Sequence, residues 1–257
     1  VSEPRVQHVE HVMGTVFSFD VRGCSGLSRT REALTEAVDF LHHVDRVFSP
    51  YREDSEVSRL ARGELNPEQC GPDVQEVTRL CEDVVRRTEG WFSPWYAGSG
   101  DGWDPTGLVK GWATERAARM LASAAPDTAV CVNGGGDIQL LGGPWRIGLA
   151  DPLGPGALTA VVEVGADVPE AAVATSGPAE RGCHILDPHT GEPPAHPLAA
   201  MTVVSSTLTV ADAFATAAYA MGDAARSWLE EQPDAEGLAT TATGATWQST
   251  GFAHWTN

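Results

Sequence analysis

The stretch from Val210 to Met221 limits this chain most. Apart from Asp212, Thr216 and Tyr219 it is entirely apolar, and half of its residues are alanine. It reads as a small-residue helix. A carboxylate in such a helix is costly unless it is paired or bound to a cation. Asp212 and Thr216 are four apart, so they share one helix face. Carboxylate and hydroxyl are hard oxygen donors that suit Mg²⁺. The same pair also fits a capping Asp and a Thr bonding back to a carbonyl.

The elements around this helix set the fold class. Residues 6–21 alternate apolar and polar side chains and read as one strand. Leu34, Ala37, Val38, Leu41, Val44 and Phe48 recur at helical spacing, giving an amphipathic helix over about 31–48. Ser55 with Glu56 opens a short helix, and Pro72-Asp73 opens another that ends before Gly90. A turn-rich loop over 90–107 leads into a helix over 108–124. Strands follow near 128–133, 138–141, 145–150, 157–164, 172–175, 183–187 and 201–206. After the apolar helix come a helix over 223–231 and strands near 237–242 and 245–249. Long helices first and strands later make an α+β fold, one domain over residues 1–257.

Charge excludes several partners. Seventeen basic residues against thirty-five acidic ones leave −18. Such a chain does not hold a nucleic-acid backbone through counterion release, and an anionic membrane surface repels it. No run of about 18 apolar residues is present, so no membrane insertion is expected. Five cysteines without paired spacing suit free thiols in a reducing compartment. The start, Val1 to Arg5, lacks a signal pattern. Both observations point to a cytoplasmic protein, with a trimmed export signal as the rival explanation. Sixteen of the basic residues are arginine, and Lys110 is the only lysine.

Three further motifs could carry chemistry. Asp104-Pro105-Thr106-Gly107-Leu108-Val109-Lys110 runs from a loop into a helix N-terminus, where free N–H groups and a lysine favour an anion. It lacks phosphate-loop spacing, and a solvated lysine on a surface loop is the plain alternative. Asn133-Gly134-Gly135-Gly136-Asp137 is either a nest of backbone donors or a simple hairpin turn. His184, ahead of Asp187-Pro188-His189, is either a general base or a structural histidine. Ser176 with His184 lacks the hydrolase elbow. Cys183, His184 and His189 lack a fourth zinc ligand.

Taken in order, these stretches resemble the ApbE family of flavin transferases. The resemblance rests on His11 to Thr15, Asp45, Phe48 to Tyr51, Asp54 to Glu56, Asp104 to Trp112 and Val132 to Asp137. It continues through Trp145 to Pro152, Ala174 to Gly177, His184 to Gly191 with Pro193, and Ala211 to Gly222. It implies an α+β fold of the ApbE-like, T-fold-related type, with a mixed or antiparallel sheet and packed helices. It implies FAD as substrate, Mg²⁺ as cofactor, and transfer of FMN to a Thr or Ser hydroxyl of an acceptor flavoprotein with release of AMP. Hydrolysis of FAD to FMN and AMP, transfer to a small molecule, and flavin carriage without turnover are the other readings. Carried over by position, Asp212, Thr216 and the Gly107 carbonyl are the metal ligands, and His184 activates the acceptor. Met13, Tyr51, Asp104, Lys110, Gly134, Gly135 and Leu186 are the FAD contacts. The chain departs from the family after Gly90, where the segment is short. It also departs at Ala61, where the family has Asn, and at Glu115, where it has Asp.

Overall fold

The first alternating stretch is two strands, not one. In the computed structural model, which describes residues 4–24, 26–95, 102–178 and 185–256, β1 (Arg5–Val12) and β2 (Thr15–Arg22) form an antiparallel hairpin. Met13 and Gly14 turn the chain with φ of 54° and 67°. Two successive positive φ angles match the right-handed twist of paired strands and close the tightest hairpin loop. The alternation of side chains runs on through the turn, so the periodicity alone did not reveal it.

Helix α1 (Leu27–Phe48) buries Ala33, Leu34, Ala37, Leu41, Val44 and Phe48 along one stripe. Helix α2 (Glu56–Ala61) starts at Ser55, whose side chain accepts the Ser58 N–H at 3.0 Å. Helix α3 (Pro72–Arg87) has proline in its first turn, where the missing N–H costs nothing. Helix α4 (Thr106–Ala124) leads into β3 (Ala129–Gly134), β4 (Asp137–Leu141), β5 (Trp145–Ala150), β6 (Leu158–Val164), β7 (Glu170–Ser176) and β8 (Leu198–Ser205). The apolar helix is α5 (Leu208–Met221). A short helix α6 (Ala225–Glu230), β9 (Ala235–Thr241) and β10 (Thr246–Gln248) follow. Of the strand expected over 183–187, residues 183 and 184 lie outside the described residues. Ile185 to Asp187 lie outside any strand, because Asp187 opens a turn in which the Gly191 N–H donates to its carbonyl at 2.8 Å.

Eight strands form one sheet in the order β1-β2-β3-β4-β7-β8-β9-β10, and each neighbouring pair is antiparallel. Strand β8 is buried at every position, as a strand covered on both faces must be. Helices α1, α4 and α5 cover one face and share the larger core. The β5–β6 hairpin covers the other with Trp145, Leu149, Val162 and Val164, joined by Phe252 near the C-terminus.

Helix α5 lies in the middle of the core, with most of its residues buried. Its first N–H groups are capped by other elements. Gln139 Oε1 accepts the Leu208 N–H at 2.7 Å, and Glu115 Oε2 accepts the Thr209 N–H at 3.0 Å and its hydroxyl at 2.6 Å. A carboxylate at a helix N-terminus is also favoured by the helix dipole.

Candidate active site

A cleft of about 380 Å³ opens at the end of the sheet where β7 finishes and β8 begins. That volume suits a small-molecule ligand. One wall is the start of α4, with Asp104, Thr106, Gly107 and Lys110. The floor is Asp212 and Thr216 of α5, and β7 supplies Thr175, Ser176 and Gly177. Trp91, Phe92, Ile185, Leu186 and Pro188 add an apolar side, and Ala150 to Pro152 of the β5–β6 hairpin reach over it.

Asp212 is 6% exposed, so its carboxylate needs partners. Its Oδ2 accepts the Gly111 N–H at 3.0 Å and lies 4.0 Å from Lys110 Nζ. The regular helical partner of that N–H is the carbonyl of Gly107. Gly107, one turn before Gly111, is itself among the residues that line the cleft. The approach depends on the glycine at 111. A Cβ there would come within 2.8 Å of both the Asp212 Cβ and the Leu208 carbonyl oxygen. Thr216, one turn along, is 3.3 Å from Ser176 Oγ. Carboxylate, hydroxyls and a backbone carbonyl form a hard-oxygen donor set, which fits Mg²⁺. No cluster of three His, Cys, Asp or Glu side chains suited to a metal occurs among the described residues. Any such ion would therefore share its shell with water or ligand oxygens, as Mg²⁺ usually does.

Lys110 reaches the cleft from the first turns of α4 and is ion-paired with Asp137 Oδ2. Asp137 Oδ1 accepts the Thr175 N–H at 3.0 Å. Among the described residues, the lining carries the carboxylates Asp104, Asp151 and Asp212 against the ammonium of Lys110. Asp104 caps the start of α4 by accepting the Thr106 N–H at 3.0 Å. Behind it, burial pushes the Cys81 thiol up to about 12, with the nearby Asp104 charge adding to the effect. Cys131 rises to about 12, again by burial first, and Cys70 to about 11. These thiols stay protonated near neutrality and are poor nucleophiles.

The described residues among those expected from the sequence divide into three groups. Asp104, Gly107, Lys110, Leu186, Asp212 and Thr216 come together in the cleft. Met13, Gly134 and Gly135 lie at the same end of the sheet without lining it. Gly135 donates to the Val16 carbonyl at 3.0 Å, and a Cβ on Gly134 would lie 2.5 Å from Thr114 Oγ1. These glycines serve close packing. Tyr51 is 94% exposed in the turn before α2 and stands apart from the lining. His184 lies outside the described residues. Of the tryptophans, Trp112 is packed between Phe40 and Phe48, while Trp91 faces the cleft. Sequence reasoning missed the pairing of Lys110 with Asp137 and the capping role of Glu115. Both join residues far apart in the chain. Asp137 had one local signal, its place straight after three glycines.

Lys110, the first turn of α4, Asp212 and Thr216 thus meet in one cleft at one end of an antiparallel sheet. The chain belongs to the ApbE family, whose model matches residues 13–106 and 102–239. A curated relative, the FAD:protein FMN transferase of Treponema pallidum (strain Nichols), is 29% identical over 152 residues. That match takes in 51% of this chain and 41% of the relative, so it spans less than half of the relative's length. The fold is shared with the ApbE protein of Thermotoga maritima MSB8, at a TM-score of 0.82 and 22% identity over 99% of this chain and 100% of that one. The flavin transferase ApbE of Vibrio cholerae has a TM-score of 0.79 and 22% identity over 98% and 99%. The Pseudomonas stutzeri flavinyl transferase ApbE has a TM-score of 0.80 and 19% identity over 100% and 99%.

Proposed function

We propose that this chain is an FAD:protein FMN transferase that works with Mg²⁺. It moves the FMN half of FAD onto a Thr or Ser hydroxyl of an acceptor flavoprotein and releases AMP. The observation that carries this reading is the meeting of Lys110, Asp212, Thr216 and the start of α4 in one cleft with an apolar side. The name of the Treponema relative supports it.

The roles follow from the chemistry of each group. The hydroxyl oxygen attacks the phosphorus nearer the flavin. The bond from that phosphorus to the bridging oxygen breaks, and AMP leaves with that oxygen. Transfers of this kind depend on positioning and on electrostatic stabilisation of the phosphoryl oxygens. Lys110 supplies positive charge, and the first turn of α4 supplies a favourable dipole end. Asp212, Thr216 and the Gly107 carbonyl would hold Mg²⁺, which supplies charge neutralisation and polarisation of phosphorus. Trp91, Phe92, Ile185 and Leu186 offer the apolar surface that a flavin ring needs. His184 takes the hydroxyl proton in this reading, a role that rests on the family resemblance alone.

The test is intact-mass measurement of a threonine-bearing flavoprotein after incubation with this chain, FAD and Mg²⁺. A covalent FMN adduct is the expected product. FMN and AMP forming at the same rate with no acceptor would make the protein an FAD pyrophosphatase instead. FAD binding with no turnover would make it a carrier.

A further inference from the structure

Asp137 is a buried carboxylate in contact with the cleft lysine, and the mechanism above gives it no role. Its side chain is 4% exposed. The registered β4–β7 pairing ends at Ile138 opposite Val173. Asp137 Oδ1 takes the Thr175 N–H just beyond that end, at 3.0 Å, while Oδ2 bears on Lys110 Nζ. The turn that delivers it is held by the Gly136 N–H donating to Asn133 Oδ1 at 2.8 Å. Asp137 is thus a fixed anchor, whereas Lys110 is a long, rotatable side chain.

Lys110 has a second carboxylate within reach, because Asp212 Oδ2 is 4.0 Å from its ammonium. An ammonium seated fully on Asp212 would compete with a divalent cation for the same oxygens. We propose that Asp137 is a positioning residue that holds Lys110 in the cleft and off Asp212, so that the site can carry an ammonium and a divalent cation together. This rests on the reading of Asp212 as a metal ligand.

Mn²⁺ binding without FAD, followed by the paramagnetic resonance signal of the free ion, tests the idea on the full chain. Asp137→Asn keeps the shape and an acceptor for the Thr175 N–H but loses the charge. It should weaken Mn²⁺ binding at least tenfold, because Lys110 then turns to Asp212. Adding Lys110→Met to it should restore binding to within threefold of Lys110→Met alone. A merely structural role for Asp137 would show no such rescue. Equal Mn²⁺ affinity in the parent and Asp137→Asn would overturn the proposal. So would a double variant that binds at least tenfold more weakly than Lys110→Met, a comparison that still decides if Asp137→Asn alone fails to fold. A parent that binds no Mn²⁺ would instead remove the metal reading itself.

Discussion

At the scale of single residues, the site is governed by what one buried carboxylate can tolerate. Asp212 is held by a backbone N–H and faces an ammonium, and both come from α4. Asp212→Ala should leave a folded protein and abolish Mg²⁺-dependent release of AMP from FAD. Unchanged release would remove Asp212 from the metal site. Gly111→Ala should cost about 1–3 kcal/mol of stability by overpacking the contact between α4 and α5. Chemical denaturation would show it as a lower midpoint at constant slope. The lone lysine and the Asp–Thr spacing were legible in the sequence, because each is a local oddity. The partner of Lys110 was not. Asp137 lies 27 residues further on and meets it only through the sheet.

At the scale of elements, the helices were legible almost to their ends, since amphipathic spacing and terminal residues such as Ser55 and Pro72 are written locally. The first hairpin was not, because its turn places a methionine at positive φ, where glycine or asparagine is usual. That hairpin is tied by Asp20, which bonds Arg5 on β1 and Arg22 on its own strand. Burial works against the Asp20 charge, yet the bonds from Arg5 and Arg22 hold its carboxyl below the usual range. Its contribution is therefore present above the unfolded value near pH 4 and is lost as pH falls through the lower folded value. Asp20→Asn should cost roughly 1 kcal/mol at pH 7. The gap in melting temperature from the parent should close in strong acid. A gap that persists unchanged at about pH 2 would contradict the assignment.

The same scale explains Glu115. Where α5 begins in the core, no side chain of its own caps it, and Glu115 does so from α4. Glu115→Gln should destabilise the fold by about 1–2 kcal/mol, as losing a charged cap does. Melting temperature reads the effect, and an unchanged value would mean that the cap is redundant. In the sequence Glu115 showed only as a departure from the family's Asp, with nothing to say what it touches.

At the scale of the whole molecule, the charge of −18 and the cleft chemistry belong together. Among the described residues the cleft lining sets three carboxylates against one ammonium, so under the proposed function an FAD diphosphate would meet repulsion unless a divalent cation came with it. The α+β class followed from element order, and the sheet with packed helices from the family resemblance. The eight-strand order, with β7 beside β4, is set by long-range pairing that no local pattern encodes. The proposed activity is transfer of FMN and not its release. The most direct measurement is the ratio of AMP released to FMN bound covalently on a threonine-bearing flavoprotein, with FAD and Mg²⁺ supplied. One AMP for each FMN attached is expected, with little of either after removal of Mg²⁺ by a chelator. AMP formed in large excess over attached FMN, or attachment that proceeds unchanged with the chelator present, would contradict it.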